Sequence, residues 1–305
     1  MKLYLAGTYT NGFSGNRQMY ARLDDREKLA RDSILYYLES YHYIKKQSYV
    51  DRIKADGSRV FLDSGAFSSY TKGIEVDIRG YCDYIKRNAE VIEVVDGIMC
   101  ASVLDAVGDP LKTWQNQQVM EQMGVRPLPC FHYGEDERYL EWYLQHYEYI
   151  TIGGMVPIST PQLRFWLDRI WEKYLVDGSG SPRVRVHGFG LTTMSLMKRY
   201  PWYSVDSSSW VQNAGVGNIM LKDYGSIAMS VHSPRAKMAG QHLNTLPAVH
   251  RQRIVEMLEA DGWSVDRLTT EYLARWAFNC NTFTVMNREL VGKELRFVPE
   301  QRALF

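Results

Sequence analysis

Short apolar runs alternate along the first 220 residues with longer stretches whose apolar positions recur every three to four residues. The runs at 2–6, 59–63, 96–104, 126–131, 149–153, 183–187 and 202–206 are bounded by glycine, proline or polar clusters, as buried strands are. Gly217-Asn218-Ile219-Met220-Leu221 is a weaker eighth. Helical patterns lie between them at about 24–46, 77–90, 110–123, 136–146, 160–175 and 192–199. Strand and helix in regular alternation is the rhythm of a parallel sheet. Seven or eight such units predict an α/β fold, a (β/α)8 TIM-type barrel, with a doubly wound open sheet as the alternative. Asp109-Pro110 and Thr160-Pro161 each set a capping residue before a proline, which marks a helix start. Beyond residue 225 the alternation stops, and 246–260 and 266–279 read as helices. The expected division is a barrel over 1–225 and a helical C-terminal region, 226–305, packed on it.

Composition narrows the class. The chain has 305 residues, 45% hydrophobic and 23% charged, which suits one large α/β domain or two ordinary ones. No apolar run approaches the ~20 residues of a membrane span. The N-terminal apolar run is too short for a secretory signal. Cys82, Cys100, Cys130 and Cys280 form no CxxC pair, so a disulfide framework is not expected. An intracellular protein without membrane contact is the expectation. The net charge of +1 conceals an asymmetry: residues 51–150 carry 10 Lys/Arg against 17 Asp/Glu, and residues 151–250 carry 10 against 5. A nucleic-acid partner fits the second segment better, and ordinary solvated charge explains the same numbers.

In a parallel barrel the chemistry collects at the carboxyl ends of the strands. Those ends hold Asp63-Ser64-Gly65-Ala66-Phe67, then Asp105, then His132-Tyr133-Gly134. Ile152-Gly153-Gly154-Met155, His187-Gly188-Phe189-Gly190 and Asp206-Ser207-Ser208-Ser209-Trp210 follow. Taken singly, Asp63 and Asp206 are explicable as turn and cap residues, and His132 and His187 as core histidines. Together they place three carboxylates and two histidines at one end of consecutive strands. Glycines there let a flat ligand approach the backbone, and Phe67, Tyr133, Phe189 and Trp210 offer faces to stack on it. Two carboxylates facing a ligand suit glycosidic-bond chemistry, one as nucleophile and one as proton carrier.

At these positions the chain resembles the tRNA-guanine transglycosylase superfamily, and within it the 7-deazaguanine DNA transglycosylases of phages and bacteria. Asp63-Ser64-Gly65-Ala66-Phe67 is similar to the family's Asp-Ser-Gly-Gly-aromatic motif. Asp105 is similar in place to its base-recognising Asp. Ile152-Gly153-Gly154-Met155 resembles its Gly-Gly-Leu segment, and His187-Gly188-Phe189-Gly190 its Met-Gly-Val-Gly turn. The resemblance covers about residues 1–215. It departs from the pattern at Ala66, at His132 where the family has Gln, and at His187 where it has Met.

The resemblance implies that guanine in a polymer is exchanged for a 7-deazaguanine such as preQ0. Asp206 would be the nucleophile at C1′ and Asp63 the general acid/base. Ser64, Phe67, Asp105, His132, Gly153, Gly154, Met155, His187 and Gly188 would bind the base. Ser207, Ser208, Arg183, Arg185, Lys198, Arg199, Arg235 and Lys237 are candidates for backbone contact, with plain surface charge and helix capping as the bland readings. No cofactor or metal is expected, although His232, His242, His250 and Cys280 could hold zinc in principle. The partners implied are DNA, favoured over tRNA, and the free base. A homodimer stays open, as does a phage-encoded enzyme working in a host cytoplasm. The competing expectations are a tRNA enzyme, another barrel enzyme on a small sugar or phosphate ester, and a non-catalytic nucleic-acid-binding subunit.

Overall fold

The computed structural model describes residues 1–191, 193–222 and 224–299. Its strands are β1 (Lys2–Ala6), β2 (Tyr37–Ser40), β3 (Val60–Asp63), β4 (Val94–Val95), β5 (Ile98–Met99), β6 (Cys130–His132), β7 (Tyr149–Gly153), β8 (Arg185–Gly188), β9 (Ser204–Ser207), β10 (Asn218–Leu221) and β11 (Gly225–Ala228). Seven form one curled parallel sheet in the order β3-β2-β1-β9-β8-β7-β6. Most of its strands are apolar on both faces, and β7 is buried at all five residues, as parallel strands covered by helices must be. Around them run helices including Gln47–Ala55, Ile78–Arg87, Pro110–Gln122, Glu137–His146 and Thr160–Ile170. The fold is therefore α/β. Among the described residues no helix is long and apolar enough to cross a membrane.

Three expected elements differ. The stretch 24–46 is not one helix: it holds a capped helix, Asp25–Asp32, then β2, then a short helix, Tyr41–Ile44. β2 pairs with both β1 and β3. Its Glu39 is fully buried and accepts hydrogen bonds from the Tyr9 and Thr10 amides and the Thr10 hydroxyl at 2.7, 3.2 and 2.6 Å. Burial still pushes that carboxyl up to about 7, against those three bonds. The stretch 96–104 is not one strand, because Asp96 and Gly97 both take positive φ (48° and 82°) and turn β4 back onto β5. Downstream of that turn, Ala101 bridges Leu62 of β3 in parallel, and Ser102 bridges Leu128 just before β6. The weak eighth strand is real, but β10 pairs antiparallel with β11 and does not join the sheet.

Contacts divide the chain into two compact units, each discontinuous. The first comprises Met1–Thr10, Tyr36–Ser207 and the chain from Leu290. Within it Tyr4, Leu38, Phe61, Cys100, Leu128 and Tyr149 pack together, and a larger cluster including Val60, Leu62, Ile53, Tyr81 and Ile85 fills the space under the helices. The second comprises Asn11–Leu35 and Ser208–Glu289. There Trp210 packs against Phe13 and Trp276, and the Asn279 side chain takes the Met220 amide at 2.7 Å while donating to the Trp210 carbonyl at 2.9 Å.

Candidate active site

All seven strands of the sheet run the same way, so their carboxyl ends share one edge. Register sets Ser40 beside Asp63 and Gly153 beside His132 there. Asp63 ends β3, and its Oδ2 accepts the Gly65 amide at 3.0 Å. Gly65 holds φ +79°, and a Cβ there would stand 2.5 Å from both Ser40 Oγ and His42 Cβ. The turn after Asp63 thus needs glycine for conformation and for space. Burial pushes the Asp63 carboxyl up, and the charges of Asp105 and Asp206 push it further, to about 7. The Gly65 amide and the Ser40 hydroxyl oppose that rise without cancelling it.

Asp105 is fixed from two sides. Ser64 Oγ donates to its Oδ1 at 3.0 Å, and His132 Nε2 meets its Oδ2 at 3.0 Å. His132 Nδ1 meets Glu135 Oε1 at 2.8 Å, and the His132 amide donates to Glu135 Oε2 at 3.0 Å. Burial would lower the imidazole's pKa, but the Cys130 sulfur, Asp105 and Glu135 outweigh it and hold the imidazolium well above its usual range. With both ring nitrogens donating to carboxylates, His132 has no further hydrogen to offer a ligand. It holds Asp105 in place.

Asp105, Cys130 and His132 are also the group, among the described residues, whose metal-ligating atoms lie within 4.8 Å of one another. Cys130 Sγ is 3.5 Å from His132 Nε2, and burial pushes its thiol up. With both imidazole nitrogens engaged by carboxylates, the three residues make a poor donor set as they stand. The four residues that could have held zinc in principle, His232, His242, His250 and Cys280, form no such group among the described residues. Cys280 is buried in the long helix Tyr272–Leu290, His232 and His250 are exposed, and His242 accepts the Asn244 amide at 3.0 Å.

Asp206 sits in β9 and is 7% exposed. Its Oδ1 accepts the Gly190 amide at 2.8 Å and lies 3.4 Å from His187 Nε2. His187 is fully buried, with Nδ1 2.8 Å from Ser204 Oγ and its ring stacked on Phe61 at 4.3 Å. It belongs to the core beneath Asp206 and presents no face to a ligand. Phe67, by contrast, is 59% exposed on the helix Ala66–Thr71.

The glycines are tight for a reason of packing. A Cβ on Gly153 would lie 3.0 Å from His132 Cδ2, one on Gly154 3.1 Å from the Tyr133 amide, and one on Gly188 3.0 Å from the Trp202 ring. Met155 is buried. Ser207 is buried at the end of β9, and Ser208 lies in the second unit, where its Oγ accepts from Gln212. Arg183 and Arg185 lie at the opposite, amino edge, and Arg185 pairs with Asp96. Arg199 grips Asp168 through two bonds of 2.7 and 2.8 Å. Lys198 is exposed, and Arg235 and Lys237 are exposed in the second unit.

Sequence reasoning missed Ser40, Glu135 and Cys130 at this edge. Cys130 and His132 share a strand face through the two-residue period, and Glu135 follows His132 across the turn at Gly134, so both were recoverable. Ser40 was hidden with its strand. No protein-family model matches the chain, and no curated protein matches it.

Proposed function

We propose that the chain is a transglycosylase that exchanges guanine in DNA for a 7-deazaguanine base through a covalent Asp–C1′ intermediate. The observation that carries this reading is the carboxyl group of Asp63, raised to about 7 beside two further carboxylates, Asp105 and Asp206. A carboxyl near 7 gives and takes protons at neutral pH, which a base exchange asks of one group twice. Asp206, held by the Gly190 amide, attacks C1′ as guanine leaves with a proton from Asp63. The incoming base returns a proton to Asp63 and displaces Asp206. Asp105, clamped by Ser64 and His132, offers its acceptors to the N–H edge of the purine. The target nucleotide must leave its stack to reach the edge, and Phe67 takes its face.

We read the sheet as a closed (β/α)8 ring in which residues 100–103 are the eighth stave. The single bridges from Ala101 to β3 and from Ser102 to Leu128 support that reading. DNA is favoured over tRNA because, within the superfamily, the resemblance is to the DNA transglycosylases.

The test is incubation with guanine-containing DNA and, separately, tRNA in the presence of labelled preQ0, followed by nucleoside digestion. Label is expected in DNA nucleosides. Label in neither polymer overturns the exchange, and label in tRNA alone overturns the polymer.

A further inference from the structure

Among the described residues five aromatic side chains are more than a third exposed, and three of them, Tyr43, Phe67 and Tyr70, gather on two touching segments, Tyr41–Ile44 and Ala66–Thr71. Tyr43 is 39% exposed, Phe67 59% and Tyr70 66%. Ser69 Oγ, 2.9 Å from His42 Nδ1, ties the segments together, and Lys72 Nζ donates to the Tyr43 hydroxyl at 3.2 Å. Phe67 and Tyr70 are three apart on one helix, so they share a face. Lysines stand among these rings. Lys72 lies 4.7 Å from the centre of the Tyr43 ring, Lys45 lies 4.9 Å from that of Tyr41, and Lys46 follows it. None of the three makes a salt bridge among the described residues. Lys72 and Lys45 also help burial pull down the basicity of His42 between them.

The helix that carries Phe67 and Tyr70 begins three residues after Asp63. Flat rings alternating with unpaired cations suit flat bases on a charged backbone. We propose that this aromatic and lysine surface holds the single-stranded DNA flanking the target nucleotide. Tyr70 and Tyr43 stack neighbouring bases, and Lys45, Lys46 and Lys72 meet the phosphates. The inference rests on the reading that the site works on a base within a polymer. It moves the polymer contact away from Arg183, Arg185 and Arg199, which lie at the amino edge or are already paired.

The experiment is fluorescence anisotropy of a short labelled guanine-containing DNA strand, with an RNA strand of the same sequence alongside. Tyr70→Ala weakens DNA binding about tenfold, and Tyr70→Phe restores it, because the ring face and not the hydroxyl makes the contact. The triple variant Lys45→Ala/Lys46→Ala/Lys72→Ala flattens the plot of log affinity against log salt by about two units. These residues are exposed, and circular dichroism checks that the variants fold. Wild-type protein that ignores DNA, or variants that bind it as wild type does, overturn the proposal, and binding of RNA alone overturns its choice of polymer. Weakened DNA binding in the variants of a protein that exchanges no base upholds the surface while sinking the catalytic reading.

Discussion

The two edges of the parallel sheet in the first unit handle charge in opposite ways. At the amino edge cations meet acids. Lys2 bonds Glu93, Arg185 bonds Asp96, and Arg183, Lys293 and Arg296 line an open cleft of about 970 Å³ beside them. At the carboxyl edge three aspartates gather, and no lysine or arginine pairs with them among the described residues. Their partners are amides, hydroxyls and imidazoles. Pairing at the first edge is what folding alone favours. Like charges gathered at the second oppose folding and leave one carboxyl near 7, an arrangement that chemistry explains better than stability does.

The largest effect is expected from Asp206→Asn. It keeps the shape and removes the proposed nucleophile, and base exchange is expected to fall by about 10⁴-fold or more. Unchanged exchange of labelled base would remove Asp206 from the mechanism. Asp63→Asn comes next, with a loss of roughly 10²–10⁴-fold in exchange. In the wild type, kcat/KM for the polymer should decline as pH rises through about 7, because in the proposed exchange guanine leaves with the proton of Asp63. A flat profile from pH 6 to 8 would contradict that.

Stability reads the same group. Its folded pKa is raised from 3.8 to about 7, so its contribution is whole below about 4 and is lost as pH rises through about 7. Asp63→Asn should therefore melt above the wild type at pH 8 and near it at pH 4. The gain at pH 8 is bounded at roughly 4 kcal/mol. Equal melting temperatures at pH 8 would show that the carboxylate costs the fold nothing.

Smaller again is Glu135→Gln, which loosens the imidazolium that clamps Asp105. KM for the free base should rise about tenfold with kcat little changed, as steady-state kinetics would show. The smallest effect is expected at the other edge. Arg185→Ala breaks a partly exposed ion pair and should cost less than about 1 kcal/mol by denaturant titration, with exchange unaffected. A large loss of exchange there would erase the distinction between the edges.

Much of this was legible in the residues. Periodicity alone located six of the seven sheet strands, and the strand-end logic brought Asp63, Asp105, His132 and Asp206 to one edge. β2 escaped because Leu35-Tyr36-Tyr37-Leu38 and Tyr41-His42-Tyr43-Ile44 repeat at a spacing that also fits a helix, and a strand with a buried Glu39 breaks the apolar pattern. The turn at Asp96-Gly97 was visible as turn chemistry and was overridden by the apolar residues around it. His187 looked like a ligand-facing residue. Strand period places it on a face but cannot tell the layer that meets ligand from the one below it, which Phe61 fills.

The discontinuity of the two units has a consequence for how the chain is made. β1 pairs with β9, two hundred residues later, and Arg267 grips the buried Glu27 through two bonds of 2.8 Å across 240 residues. Neither unit can close on a ribosome that has synthesised only half the chain. Strand β1 must wait with one edge open until Ser204–Ser207 emerges, which predicts slow folding and a nascent chain that depends on protection from aggregation.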